Sequence, residues 1–102
     1  TWILPLNHQS DYTKISPDEA THLASITKEV FTKLRRALPH SDYNMVLHST
    51  RLNSGVQEYY HWHLEIMPRI TKIGGFELGS ANFIDIVAPE HGAKFINSHH
   101  QP

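Results

Sequence analysis

The sequence of 102 residues contains no cysteine, so disulfide bonds are excluded. A chain without disulfides fits a reducing compartment, and we therefore expect a cytoplasmic protein. No apolar run approaches the roughly 18 residues of a membrane span. Residues 1–5 also lack the charged region and the long apolar stretch of a signal peptide. We expect neither membrane insertion nor secretion.

An excess of one charge is also missing, because nine lysines and arginines face ten aspartates and glutamates. No basic stripe indicates nucleic-acid binding. The length suits one domain, residues 1–102. The chain starts with Thr1 rather than Met, directly in strand-like sequence, which we interpret as a piece of a longer chain.

Histidine is abundant, with nine residues, although the terminal pair His99–His100 is interpreted as a frayed tail without a role. Residues 59–69 alternate in character and predict one β-strand. One face carries Tyr60, Trp62, Leu64 and Ile66, and the other carries Tyr59, His61, His63 and Glu65. Two imidazoles and a carboxylate in one row suit a metal site or a phosphoryl-transfer site. The alternative is a strand with an ordinary polar solvent face.

A long helix is predicted over residues 17–38. Ser16 can cap it, Pro17 suits its first position, and Glu19 completes a capping box. Its apolar residues recur at spacings of three and four, and Pro39 stops it. Shorter strands are predicted at residues 2–6 and 82–87, and a last short helix from Pro89. The glycine-rich residues 73–80 form either an ordinary loop or a close approach to a ligand.

A second strand over residues 43–49 precedes a turn centred on Ser54-Gly55. An antiparallel hairpin about that turn places His48 opposite His61 and Val46 opposite His63. Alternation supports the pairing, since Tyr43, Met45 and Leu47 then join the apolar face of the other strand. We therefore expect an α+β fold in which the long helix covers the apolar face of an antiparallel sheet.

The polar face would then gather His48, His61 and His63. Neighbouring positions on such a face are within about 5 Å, so three imidazoles can converge on Zn²⁺ or Fe²⁺. Glu65 either joins them as a ligand or orients one histidine ring.

The segment from His61 to Arg69 resembles the motif of the histidine-triad superfamily, with Glu65 in the place of the third histidine. Three further features accompany it: Leu4-Pro5-x-x-His8, a strand that ends in His48, and Gly75-Phe76-Glu77. In this order they are similar to the C-terminal half of the galactose-1-phosphate uridylyltransferases. The resemblance covers nearly the whole chain.

The resemblance implies transfer of UMP between UDP-glucose and galactose 1-phosphate through a histidine of the N-terminal half. That histidine belongs to a His-Pro-His motif, which this sequence lacks, so we expect the isolated chain to be inactive. By the same resemblance, His48, His61 and His63 hold a structural zinc or iron together with a glutamate of the N-terminal half. Gly75, Phe76 and Glu77 contact the hexose. The expected partners are a UDP-hexose, a hexose 1-phosphate, the N-terminal half and a second copy in a homodimer.

Two alternatives stay open. In stand-alone histidine-triad proteins the middle histidine of the motif is the nucleophile, which is His63 here, and the chain would be a small nucleotide hydrolase or transferase. Otherwise the chain is a non-catalytic module that a metal stabilises, or that binds a ligand or forms dimers. All three readings share one fold, so the fold does not decide among them.

Overall fold

The computed structural model describes residues 1–99, so His100 of the terminal pair lies outside the described residues. Within the described residues, three strands and three α-helices follow one another. They are β1 (Trp2–Ile3), α1 (Pro17–Ala37), β2 (Tyr43–His48), β3 (His63–Pro68), α2 (Gly75–Ser80) and α3 (Pro89–Ser98), with a short 3-10 helix at Tyr12–Lys14. None of the helices in the described part of the chain is long and apolar enough to cross a membrane.

The three strands form one antiparallel sheet in the order β1-β3-β2, with β3 at its centre. Helix α1 covers one face of the sheet, where Leu34 packs with Ile3, Leu64 and Ile66 in a buried cluster. Ile66 is fully buried. The α+β prediction, with one long helix on one face of an antiparallel sheet, is confirmed.

Helix α1 begins as its sequence predicts. The Ser16 hydroxyl accepts the backbone N–H of Glu19 at 3.2 Å, and the Glu19 carboxylate accepts the backbone N–H of Ser16 at 2.7 Å. This reciprocal capping box satisfies two N–H groups that the first turn leaves without helical partners. Pro17 occupies the first turn, and the helix ends at Ala37, one residue before the predicted limit.

The predicted register of the central hairpin is wrong by two residues. His48 lies opposite His63 and Val46 opposite Glu65, instead of opposite His61 and His63. The connection between β2 and β3 is long and irregular. At its end the backbone N–H of Trp62 donates to the carbonyl of Gln9 rather than to β2, so pairing of the two strands begins only at His63. A slip of two residues keeps every side chain on its face, so the predicted division into two faces is correct.

Element lengths differ from the predictions in several places. Residues 59–62 lie before β3 instead of inside it, and β1 has two residues instead of five. Residues 82–87 form no strand, and part of the glycine-rich segment 73–80 is helical. The last helix, predicted from Pro89, is confirmed.

The apolar face of the sheet is only half covered. Trp62, Leu64 and Ile66 are buried, as predicted for the central strand. On β2, however, the apolar side chains of the same face are 42–53% exposed, namely Tyr43, Met45 and Leu47. Helix α1 therefore covers the centre of the sheet and leaves its β2 edge open.

Candidate histidine site on the open sheet face

The sheet face opposite α1 carries the candidate chemistry. His63 on β3 lies directly opposite His48 on β2, and Glu65 on β3 lies opposite Trp2 on β1. Directly opposed strand residues share a face, as do residues two apart on one strand. The four side chains therefore lie together on one face, supplied by all three strands.

Three rings on this face are stacked. The Trp2 and His63 ring centroids are 4.6 Å apart with planes 21° from parallel. The His48 and His63 centroids are also 4.6 Å apart, with planes 17° from parallel. Trp2 comes from β1 and His48 from β2, on the two sides of β3. The His63 imidazole therefore lies between the other two rings.

The Glu65 carboxylate joins the outer rings of this stack. Its Oε1 accepts the indole N–H of Trp2 at 3.0 Å, and its Oε2 lies 3.1 Å from Nε2 of His48. The Trp2 hydrogen bond is the main reason that the pKa of Glu65 lies below its ordinary value, and the His48 contact lowers it further against the opposing effect of burial. Glu65 is therefore an ionised acceptor at neutral pH.

The hydrogen bonds define which ring nitrogens are free. Nδ1 of His63 lies 3.2 Å from the backbone carbonyl of His61. A carbonyl only accepts, so in neutral His63 the proton is on Nδ1 and the lone pair is on Nε2. By the same argument, His48 carries its proton on Nε2, toward Glu65, and its lone pair on Nδ1. His63 Nε2 and His48 Nδ1 are therefore the ring nitrogens with a free lone pair, which is what attack on phosphorus or binding of a metal requires.

The third predicted ligand, His61, lies apart from the stack. It precedes β3, and its ring makes an edge-on contact with His8, with centroids 4.7 Å apart. A metal ion lies in the plane of each imidazole that binds it, about 2.0–2.1 Å from the nitrogen. The stacked planes of His48 and His63 are almost parallel, so one ion cannot lie in both.

The present arrangement therefore does not fit a centre of three histidines. Within residues 1–99, no three side chains of histidine, cysteine, aspartate or glutamate form a group that could hold a metal ion. Metal binding by His48, His61 and His63 stays a prediction, and it requires at least two of the rings to turn away from their present contacts.

The residues predicted to contact a hexose lie at the start of α2. Phe76 is 61% exposed, and the Glu77 carboxylate accepts the backbone N–H of Gly74 at 3.0 Å. Glu77 also lines an open groove of about 660 Å³ with Arg69 and Lys72. The groove offers a carboxylate for hydroxyl groups and two cations, a combination that suits a phosphorylated sugar.

Sequence reasoning missed Trp2 as a member of the site. It was expected only to be part of an apolar strand, whereas its indole N–H and its ring both contact the polar face. The contact depends on the pairing of Trp2 with Glu65, and a strand of two residues is too short for its alternation to predict a register.

Comparison with known proteins agrees with the fold. The HIT domain family matches residues 1–72. ADP-glucose phosphorylase from Arabidopsis thaliana is 33% identical over 95 residues, which cover 91% of this chain and 27% of that protein.

Solved structures give the same result over almost the whole chain. The ADP-glucose phosphorylase of Arabidopsis thaliana with bound ADP-glucose is 31% identical, with a TM-score of 0.85, over 93% of this chain and 32% of that one. A uridylyltransferase structure is 29% identical, with a TM-score of 0.87, over 97% of this chain and 33% of that one. The chain therefore spans about a third of the length of these relatives.

The relatives are a phosphorylase and a transferase, so the family is enzymatic. The family match covers more than half of the chain, and the phosphorylase structure superimposes on 93% of it. This chain belongs to the HIT-domain family and is homologous to ADP-glucose phosphorylase and to structures like galactose-1-phosphate uridylyltransferase.

Proposed function

We propose that this chain is the C-terminal, metal- and hexose-binding domain of a nucleotidyltransferase that moves UMP between UDP-glucose and galactose 1-phosphate, in the cytoplasm. The observation that supports it most is the likeness to a uridylyltransferase over 97% of the chain. That likeness extends beyond the HIT match at residues 1–72 and takes in the Gly75-Phe76-Glu77 segment.

A second candidate is nucleotidyl transfer from ADP-glucose to phosphate, favoured by the relative of 33% identity that is named an ADP-glucose phosphorylase. Both candidates start from a nucleoside diphosphate glucose and break its diphosphate. They differ in the base and in the acceptor, which is a hexose phosphate in the first and inorganic phosphate in the second.

In either candidate reaction this chain supplies the residues that bind the sugar and its phosphate. Phe76 packs against a hexose ring, Glu77 accepts hydrogen bonds from its hydroxyl groups, and Gly75 lets the backbone approach it closely. Arg69 and Lys72, which line the same groove as Glu77, pair with a phosphate. The half-exposed position of Glu77 and the exposure of Phe76 support these roles.

The nucleophile comes from elsewhere in this proposal, because the chain has no His-Pro-His motif. It belongs to an N-terminal half of the same enzyme, and the full-length enzyme is a homodimer. The large apolar side chains exposed on this chain support such interfaces, among them Met45, Phe76, Phe83 and Ile86. The stand-alone alternative keeps one supporting observation, which is the contact of His63 Nδ1 with the carbonyl of His61, because this contact leaves the lone pair of the neutral ring on Nε2.

The test is an assay of the natural protein with UDP-glucose and with ADP-glucose, each supplied with galactose 1-phosphate or with inorganic phosphate. Formation of UDP-galactose supports the first candidate, and phosphate-dependent formation of ADP supports the second. Release of a nucleoside monophosphate that is lost in His63→Ala supports the stand-alone alternative. No turnover under any condition would overturn the proposal and leave a non-catalytic module. The 102-residue chain alone should form no uridylyl-histidine adduct.

The structural zinc or iron of the sequence prediction is also proposed, with His48, His61 and His63 as ligands. Its formation requires the His48 and His61 rings to leave Glu65 and His8. When bound, the ion would cross-link the strand ends around the histidines and so stabilise the fold.

Elemental analysis and thermal melting with and without Zn²⁺ at pH 7.5 test this site. Zn²⁺ binds the unprotonated imidazole, so the melting temperature should rise with Zn²⁺ at this pH and should rise less in acid, where protons compete for the same nitrogens. His61→Ala should remove the rise, whereas His22→Ala, on the exposed surface of α1, should keep it. Absence of metal and of any shift would contradict the assignment.

A further inference from the structure

The two contacts of Trp2 meet at one imidazole. Trp2 and Glu65 are direct partners across β1 and β3, and the indole N–H donates to Glu65 Oε1 at 3.0 Å. That bond fixes the plane of the indole, which stacks on His63. Stacked rings of this kind attract each other more than their buried area alone accounts for, but only in a restricted relative orientation.

The second oxygen of the same carboxylate fixes the ring on the other side of His63. Glu65 Oε2 lies 3.1 Å from Nε2 of His48, and His48 stacks on His63. One carboxylate therefore holds both outer rings of the stack. Rotation of His63 about its side chain would bring its ring into collision with Trp2 on one side and His48 on the other.

The edge of the His63 ring is fixed as well, because Nδ1 lies 3.2 Å from the carbonyl of His61. A ring held on both faces and at one nitrogen has one orientation, and its remaining nitrogen, Nε2, has one direction. We propose that Trp2 and Glu65 are positioning residues for His63, which keep its ring between Trp2 and His48 and its proton on Nδ1. What His63 Nε2 then contacts depends on the proposed function, whereas the orientation of the ring in the metal-free protein does not.

Histidine ¹⁵N NMR of the natural protein tests this inference directly, since the two ring nitrogens report the tautomer. The spectra are recorded at pH 8 with a chelator, so that no metal is bound to the imidazoles. The wild-type protein should show His63 protonated on Nδ1 and His48 protonated on Nε2.

The variants separate the two contacts of Trp2. Trp2→Phe keeps an apolar ring and loses the N–H donor, so His63 should shift toward a mixture of tautomers. Glu65→Gln keeps the shape and replaces one acceptor oxygen by an NH₂ donor, so His48 should move its proton from Nε2 to Nδ1. Val56→Ala, which shortens an apolar side chain that is 78% exposed in the loop between β2 and β3, should leave both histidine spectra unchanged.

Unchanged His48 and His63 signals in both Trp2→Phe and Glu65→Gln, with melting temperatures like that of the wild type, would overturn the inference. Trp2→Ala gives a stronger version of the same test if it folds, and the two conservative variants decide the matter if it does not. Absence of nucleotidyl transfer would contradict the proposed function but would not change the histidine tautomers, so the two failures can be told apart.

Discussion

Glu65 and Ile66 are consecutive residues in opposite environments, because successive strand residues point to opposite faces. The Glu65 carboxylate accepts hydrogen bonds from Trp2 and His48 on the open face. The Ile66 side chain lies against α1 and is fully buried. The same two residues therefore connect the candidate site to the core, since a shift of β3 that exposed Ile66 would also separate Glu65 from its partners.

Ile66→Ala should lower the free energy of unfolding by about 2–5 kcal/mol, because it removes three methyl or methylene groups from a buried site and leaves a cavity. Urea unfolding followed by circular dichroism measures the change. Ile70→Ala makes the same chemical change at a side chain that is 58% exposed, and should cost less than about 0.5 kcal/mol. Equal losses in the two variants would contradict the assignment of Ile66 to the core.

At the scale of elements, the start of α1 combines a cap with a titratable group. The backbone N–H of Ser16 donates to the Glu19 carboxylate, and this bond is the largest cause of a Glu19 pKa below its ordinary value. A depressed pKa stabilises the folded state at pH values above the pKa of the unfolded chain. That stabilisation is lost as the pH falls through the lower, folded-state pKa.

Two variants at this cap should differ in their pH dependence. Glu19→Gln has no carboxyl to titrate, so melting temperatures measured between pH 6 and pH 3 should fall less steeply than in the wild type. Ser16→Ala should lower stability by about 0.5–2 kcal/mol at neutral pH but keep most of the slope, because the backbone N–H of residue 16 is still present. The same slope in Glu19→Gln as in the wild type would show that this carboxyl does not contribute.

Prediction from sequence succeeded for α1 and for the two faces of β3, and the reasons are local. Residues 16–38 contain both the capping residues and the apolar spacing of 3.6 residues that a helix requires. The alternation along β3 places His63 and Glu65 on one face of the sheet and Ile66 on the other, as observed. Register is different, since a two-residue slip preserves alternation and so leaves no trace in the pattern. The prediction of a strand at residues 82–87 was wrong. An apolar run forms a strand only where a neighbouring strand pairs with it, and the observed sheet ends at β2.

At the scale of the whole molecule, the chain is less compact than a typical domain of the same length. Its radius of gyration is 16.0 Å, compared with about 13 Å for a compact domain of 100 residues. In the part of the chain that the structure describes, strand β2 has a neighbouring strand on one side only. Three of its apolar side chains are exposed beside α1: Tyr43, Met45 and Leu47. An open edge with apolar side chains is a surface that pairs with another strand or packs against another apolar face.

We therefore expect the isolated 102-residue chain to self-associate through the β2 edge, with an apparent mass that rises with concentration in light scattering. Met45→Lys should reduce the association, because a charge on an edge strand opposes strand pairing and desolvation. Met45 is 53% exposed, so the Lys side chain can reach water and the melting temperature should change little. Leu52→Lys adds the same charge at a loop residue that is 73% exposed, and should leave the association unchanged. Equal effects of the two lysines would mean that net charge, rather than the β2 edge, controls the association, and would contradict the prediction.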